Sequence, residues 1–358
     1  MNQITPSLLL LMTALSANAA ALTSDQAAAI DALFTRWTAA DTPGASVMVI
    51  HKGRSIFAKG YGLADLEQRV PCSTNTNFRL ASVTKQFTAM AVLMLAERRK
   101  LSLDETLADF FPEFPPYGRA ITVRHLLTHT SGLMDYEDVI PKGTTLPVLD
   151  QDVLRILIQQ DKTYFQPGTN YRYSNTGYAL LALIVEQRSG LTFARFLRQH
   201  IFAPLKMTGT LAYEQGLSAV PNRAFGHSPT DHGFQRTDQS LTSSVLGDGG
   251  VYSSVLDLAR WDAALYTTRL VRRKSLQQAF APAIPTDRPG RSYGFGWYVG
   301  EYRGLKEIGH GGETRGFRTR IARFPERKFT VIILANRSDA VLDEIPHRIA
   351  DVVLFKGI

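Results

Sequence analysis

The sequence predicts an α+β fold: one antiparallel sheet flanked by N- and C-terminal helices, with a mostly helical lobe inserted between its first and last strands. Three observations predict it. Two early apolar-rich runs are joined by a tight turn, a group of strand-like runs follows Arg291, and the long stretch between them has helical periodicity broken by Pro, Gly and Thr loops. The boundaries that follow are a sheet lobe from residues 22–100 and 290–358, a helical lobe at 101–289, and a leader at 1–20.

The leader comes first. The first 24 residues carry no charged side chain, and the apolar run 8–15 is followed by Ala17-Asn18-Ala19. That run is far shorter than the roughly 20 residues that span a bilayer, and Ala-x-Ala suits a signal-peptidase cleavage site. The expectation is a signal peptide and an exported protein, periplasmic or secreted, that meets the membrane only during export.

Residues 24–40 place Ile30, Leu33, Phe34 and Trp37 on one side of an amphipathic helix. Residues 45–51 and 55–61 are strands around Lys52-Gly53-Arg54, a hairpin signal. From Ser82 to about residue 98 the chain is apolar on nearly every helical face, which places a helix inside the protein. Further helices are expected at 176–187, at 192–199 and from Ser254, where Ser-x-x-Asp257 resembles a capping box. The strands expected after Arg291 cover 293–299, 305–309, 317–324 and 329–334, with Pro325-Glu326-Arg327 as a turn and a closing helix over 340–354. The seam between the two lobes is the natural pocket.

Composition narrows the function. Hydrophobic residues make up 44% and charged residues 20%, enough for a sizeable core and unlike a disordered chain. Cys72 is the single cysteine, so no intramolecular disulfide is available; its neighbours Pro71, Ser73 and Thr74 offer nothing to activate the thiol. The net charge of +8 favours anionic partners, yet the densest basic group, Arg315, Arg318, Arg320 and Arg323, alternates along a strand. No nucleic-acid motif accompanies it, so no nucleic-acid partner is expected.

Three short motifs carry chemistry. Ser82 and Lys85 stand three apart, one turn of a helix, and the free amides at a helix N-terminus favour negative charge developing on Ser82. A common reading of S-x-x-K is a cap and a solvated lysine, but the helix that follows is too apolar for the surface. Tyr173 and Asn175, two apart in an extended segment, face one side; Tyr173 can take a proton from Ser82 or pass one to a leaving group, and Asn175 can hold Lys85 or a substrate amide. Alone, the tyrosines here read as loop aromatics. His310-Gly311-Gly312 closes one expected strand and opens towards the next, where the Glu313 N–H can join that of Ser82 in an oxyanion hole. Other chemistries lack their residues. His125 and His129 sit at i and i+4 without the Glu of H-E-x-x-H and read as structural, and neither G-x-S-x-G nor a P-loop is present, so no metal and no cofactor are expected.

Taken together, S-x-x-K, Y-x-N and H-x-G in this order resemble the serine β-lactamase and penicillin-binding-protein superfamily, in its class C-like branch of esterases, D-peptidases and β-lactamase-related proteins. Segments 126–133 (LLTHTSGL), 165–178 (FQPGTNYRYSNTGY), 204–210 (PLKMTGT) and 249–261 (GGVYSSVLDLARW) carry the resemblance further, which spans about residues 25–340. It implies a β-lactamase/transpeptidase-like fold, with Ser82 as nucleophile, Lys85 as its activator, Tyr173 as proton shuttle and His310-Gly311-Gly312 lining the site.

The reaction implied is hydrolysis of an ester, amide or lactam carbonyl in a small molecule or peptidoglycan-like peptide. The rival is a sensor or binding module on the same fold without turnover. Among the substrates, the loops at about 135–165 and 210–245 would decide. His310 stands where the β-lactamase branch has lysine, so a fixed cation becomes a group titrating near pH 6.5, and Arg315 or Arg318 is the expected substitute. Burial should depress Lys85, and its charge should favour the Tyr173 phenolate, the two sharing a proton; the residues alone leave open which is the base.

Overall fold

The computed structural model describes residues 21–355. The leader expected at 1–20 lies outside the described residues. Helix α1 (Ser24–Ala32) opens on a reciprocal capping box between Thr23 and Gln26. Strands β1 (Ala45–His51) and β2 (Arg54–Tyr61) form the early hairpin, and helix α2 (Lys85–Glu97) follows the 3-10 turn Ala81–Thr84. The inserted region contributes α3 (Asp150–Ile158), α4 (Asn175–Ser189), the single turn α5 (Leu246–Gly249) and α6 (Val255–Ala264). The late strands are β3 (Ile284–Pro285), β4 (Ser292–Tyr293), β5 (Tyr298–Tyr302), β6 (Leu305–Thr314), β7 (Phe317–Phe324) and β8 (Phe329–Ala335), before the closing helix α7 (Ile345–Leu354).

These strands make one antiparallel sheet in the order β3-β4-β5-β6-β7-β8-β1-β2. Alternation along β1 and β8 explains its two buried faces. Val47, Val49, Val331 and Ile333 point to an outer core with Ile30, Phe34, Trp37 and Ile349, while Met48, Ile50, Ile332 and Leu334 point inward to Phe87, Leu258 and Trp261. A sheet covered on both sides has no polar face, so its strands read as unbroken apolar runs.

Several expectations change in detail. The strand expected at 293–299 is broken between β4 and β5, because Gly296 takes φ +78 and packs so tightly that a Cβ there would lie 2.7 Å from the Lys85 carbonyl oxygen. The strand expected at 305–309 runs on to Thr314, so His310-Gly311-Gly312 lies inside β6 rather than at its end. The 325–327 turn is a 3-10 helix, and the closing helix starts at Ile345. Ser254 does cap its helix, accepting from the Asp257 N–H, but Asp257 does not answer the cap; its carboxylate accepts from the Gly209 N–H and the Thr210 hydroxyl. The inserted region also holds a small sheet of Phe78–Arg79, Val251–Ser253 and Leu211–Ala212 and a hairpin of His227–Thr230 with Gly233–Arg236.

The basic cluster does not form a surface stripe. Arg315 sits exposed in the turn after β6, whereas Arg320 and Arg323 are buried on opposite faces of β7, paired with Glu307 and Asp262. Cys72 is buried, and burial raises its thiol well above the usual range. Among the described residues no helix is long and apolar enough to cross a membrane.

Candidate active site

The turn that delivers Ser82 is held from two sides. Leu80 donates its N–H to the Val251 carbonyl at 2.8 Å, and its own carbonyl accepts from the Thr319 hydroxyl at 2.8 Å. Between these anchors and Ser82, Ala81 adopts φ +48, a left-handed conformation that costs a residue with a Cβ on the order of 1–2 kcal/mol. Gly312 lies against the same Leu80 carbonyl, and any side chain there would collide with it; a Cβ on Gly311 next door would meet only ordinary contacts, with Thr319 and Arg320. The H-x-G glycine is therefore demanded at 312 and optional at 311.

Lys85, the first residue of α2, is wholly buried. Its Nζ donates to Ser82 Oγ at 3.1 Å, to Asn175 Oδ1 at 2.8 Å and to the main-chain carbonyl of Asp248 at 2.9 Å. Its three donor positions are filled, yet among the described residues no carboxylate touches it. Burial consequently lowers the Lys85 pKa, against an opposing pull from Asp248 and Asp135.

Tyr173 closes the other side, its ring 5.0 Å beneath the Lys85 ammonium and packed on His129 at 4.3 Å between centroids. The Tyr173 hydroxyl is buried without a formed hydrogen bond. Burial raises its pKa above the usual phenol range, and the facing Ser82 side chain offsets this only in part. The expectation that the neighbouring ammonium favours a phenolate runs against this direction: burial, with Asp248 and Asp135, favours the neutral phenol.

Asn175 starts α4, its N–H given to Asp135 Oδ2 at 2.7 Å, so the helix terminus and Lys85 share one asparagine. His310 is buried in β6. Its Nε2 accepts from the Tyr293 hydroxyl at 2.9 Å while Nδ1–H donates to the Gly311 carbonyl at 2.6 Å, an assignment set by the partners. Burial, aided by Lys85, holds its pKa down to about 3. It is a fixed neutral ring, not the group titrating near pH 6.5 that the residue type suggests. Of the two expected substitutes for the missing lysine, Arg315 is exposed in the turn after β6, and Arg318 donates to the Thr314 and Phe317 carbonyls and faces Glu313 at 3.6 Å. Glu313 itself has an exposed side chain, leaving only its main chain for the site.

His129 is likewise buried, with Nδ1 accepting from the Ser174 N–H at 3.2 Å, and His125 caps its own helix through Thr122. Among the described residues no group of three or more His, Cys, Asp or Glu could hold a metal ion. Sequence reading missed Asp135, Glu137 and Asp248. The segment that follows LLTHTSGL brings the first two to the site, where the exposed Glu137 lies near Thr242 and Asn175, and partial desolvation, with Asp135, raises its pKa.

The surroundings can thus activate a serine, shuttle a proton and neutralise a positive group. The family model described as Beta-lactamase matches residues 29–354. Penicillin-binding protein 4* of Bacillus subtilis is 32% identical over 327 residues, 87% of this chain and 72% of that protein. The D-aminopeptidase of Brucella ovis is 34% identical over 317 residues, covering 84% of this chain, which spans only 58% of that relative's length. Among solved structures, the octameric penicillin-binding protein homologue from Pyrococcus abyssi superposes with a TM-score of 0.82 at 28% identity, covering 92% of this chain and 77% of that one. The D-amino acid amidase from Ochrobactrum anthropi complexed with L-phenylalanine amide gives 0.78 at 25% identity, covering 93% and 98%.

Proposed function

This chain belongs to the beta-lactamase family, and on that footing we propose that it is a serine hydrolase that cleaves the amide of a D-amino acid or short D-peptide bearing a free amino group. The observation that carries the reading is the Ser82 hydroxyl 3.1 Å from a buried amine whose other partners are neutral oxygens. The D-aminopeptidase and D-amino acid amidase among its relatives support the amide class. Glu137 and Asp135 beside Asn175 support a cationic group on the substrate, since an ammonium would offset two carboxylates crowded together.

The chemistry runs from the pKa directions. Lys85, whose pKa burial lowers, takes the Ser82 proton as Oγ attacks the carbonyl carbon. The oxyanion is met by main-chain N–H groups of Ser82 and Glu313. The two-residue turn Arg315 and Gly316 closes on the Thr314–Phe317 pair, so ladder alternation turns the Glu313 N–H away from β7. As the C–N bond breaks, Tyr173, still protonated, gives its proton to the leaving nitrogen and recovers one from Lys85. Water then repeats the sequence on the acyl-enzyme and releases the acid.

The test is covalent. A fluorophosphonate should label Ser82, located by peptide mass, and Ser82→Ala should abolish the label. Across D- and L-amino acid p-nitroanilides, p-nitrophenyl esters, D-Ala-D-Ala peptides and a chromogenic cephalosporin, the D-amino acid anilides should show the highest kcat/KM. Labelling without turnover of any of them would identify a sensor instead. Export, with a periplasmic or secreted location, is part of the proposal and rests on residues 8–19; it predicts that protein recovered outside the cytoplasm begins after Ala19.

A further inference from the structure

One of the three acceptors holding Lys85 belongs to a piece of chain that cannot hold itself. Helix α5 is a single turn, and an isolated turn fixes more dihedral angles than its hydrogen bonds repay. Side chains from outside support it, among them Arg79, whose Nε donates to the Gly249 carbonyl at 3.3 Å. Asp150 accepts the N–H of Leu246 at 2.8 Å through one carboxylate oxygen and that of Gly247 at 3.0 Å through the other. Thr88 Oγ1 donates to the Gly247 carbonyl at 2.6 Å, and the Tyr136 hydroxyl donates to the Asp248 carboxylate at 3.0 Å. The next carbonyl, that of Asp248, is the one that receives Lys85 Nζ.

We infer that Asp150 is a positioning residue for acyl transfer: by gripping both leading amides of α5 it sets where the Asp248 carbonyl stands, and hence how Lys85 is aimed at Ser82. The inference rests on the Ser82–Lys85 reading above. Asp150 belongs to α3, so a carboxylate of the helical lobe fixes an atom on which the lysine depends.

A plain capping role fits poorly with what surrounds this carboxylate. Asp150 is buried, and among the described residues no cation pairs with it. Burial, together with Asp248 of α5 and Glu186 of α4, pushes its pKa up to about 7, against the pull of the two amides. A neutral Ser or Asn would cap a turn without that penalty. What a carboxylate adds is simultaneous acceptance by two oxygens, which fixes the rotation of α5 as well as its position. The groups facing Asp248 in turn are Lys85, Glu137, Tyr136 and Arg79.

The test uses the full chain, p-nitrophenyl acetate and a fluorophosphonate. With Asp150→Ala, kcat should fall on the order of ten- to a hundredfold with KM within about twofold, the cost of misaiming a reacting group by a fraction of an ångström. The acid limb of kcat/KM should move to lower pH, because an ammonium that loses an acceptor gives up its proton more readily. Asp150→Asn keeps one acceptor oxygen but turns an N–H towards the second amide, so it should lose kcat nearly as Asp150→Ala does, whereas Asp150→Glu, which keeps both oxygens, should recover part of it. If Asp150→Ala does not fold, Asp150→Ser, which reaches only one amide, takes its place with the same readouts. An unchanged kcat and acid limb with only a lowered melting temperature overturns the inference, as does full kcat in the Asn variant. Should wild-type protein itself escape fluorophosphonate labelling, the proposed function has failed; should it label while Asp150→Ala labels at the same rate, only the positioning role has.

Discussion

Glu307 and His310 stand three residues apart in β6 and so face opposite sides of the sheet, and the two sides treat buried charge in opposite ways. On the outer side, Glu307 is fully buried and closed by Arg291 at 2.7 Å, Arg320 at 3.1 Å and His347 at 2.8 Å. Burial pushes its pKa up, but His347 and the two arginines bring it down to about 2. On the inner side, Lys85 is equally buried, yet its hydrogen-bond partners are only a hydroxyl, an amide oxygen and a main-chain carbonyl, and burial lowers its pKa against the pull of Asp248 and Asp135. A buried charge with opposite charges around it is pinned in one protonation state. One held by neutral acceptors can give up its proton, which is what an acylating site requires.

The contrast is broken or sharpened by substitution on each side. Lys85→Met should remove the general base and lower kcat/KM on the order of a thousandfold or more, with the unfolding midpoint little changed, as read by steady-state kinetics beside urea titration. A retained rate would make Tyr173 the base. Glu307→Gln should do the reverse. It strands the buried Arg320 guanidinium and the half-buried one of Arg291 and should cost roughly 3–5 kcal/mol of stability by denaturant unfolding, while kcat of the folded fraction stays within about twofold.

The pH dependence separates the sides further. The folded pKa of Glu307 lies below its unfolded value near 4.3, so its contribution is complete above that pH and is lost as pH falls towards 2. That amounts to about 3 kcal/mol, and urea unfolding of Glu307→Gln should lack this part of the acid slope. Activity should instead rise with pH as Lys85 loses its proton, and His310→Gln should leave that limb in place because the ring is already neutral. A limb that vanished in His310→Gln would reassign the titrating group. The smallest effect belongs to Gly311→Ala, expected to stay within about twofold of wild-type activity, whereas Gly312→Ala should lose activity by tenfold or more by displacing Leu80.

How much of this was legible in the residues follows from where each constraint originates. Ser82 and Lys85 were visible because a three-residue spacing and an all-apolar helix are local properties, and the alternating cores of β1 and β8 are local too. The break at Gly296 was not, since its cause is the carbonyl of Lys85, more than 200 residues earlier in the chain. Glycines also disguised β6: two in succession read as the end of a strand, although Gly312 is there because Leu80 leaves no room for a side chain. The neutrality of His310 comes from its burial beside Lys85, which nothing in the H-x-G motif announces. Asp248 escaped notice for a different reason, because what it offers Lys85 is its main chain, and a backbone carbonyl has no sequence signature.

The strained turn before Ser82 also bears on how the protein matures. Leu80 is fastened to Val251 and, 239 residues along the chain, to Thr319, so the serine can reach its reactive pose only after both distant segments have docked. A serine-directed reagent should therefore label Ser82 only once residues 251 and 319 have packed on Leu80. A reagent that reacts with Ser82 doubles as a stopwatch for the completion of tertiary structure.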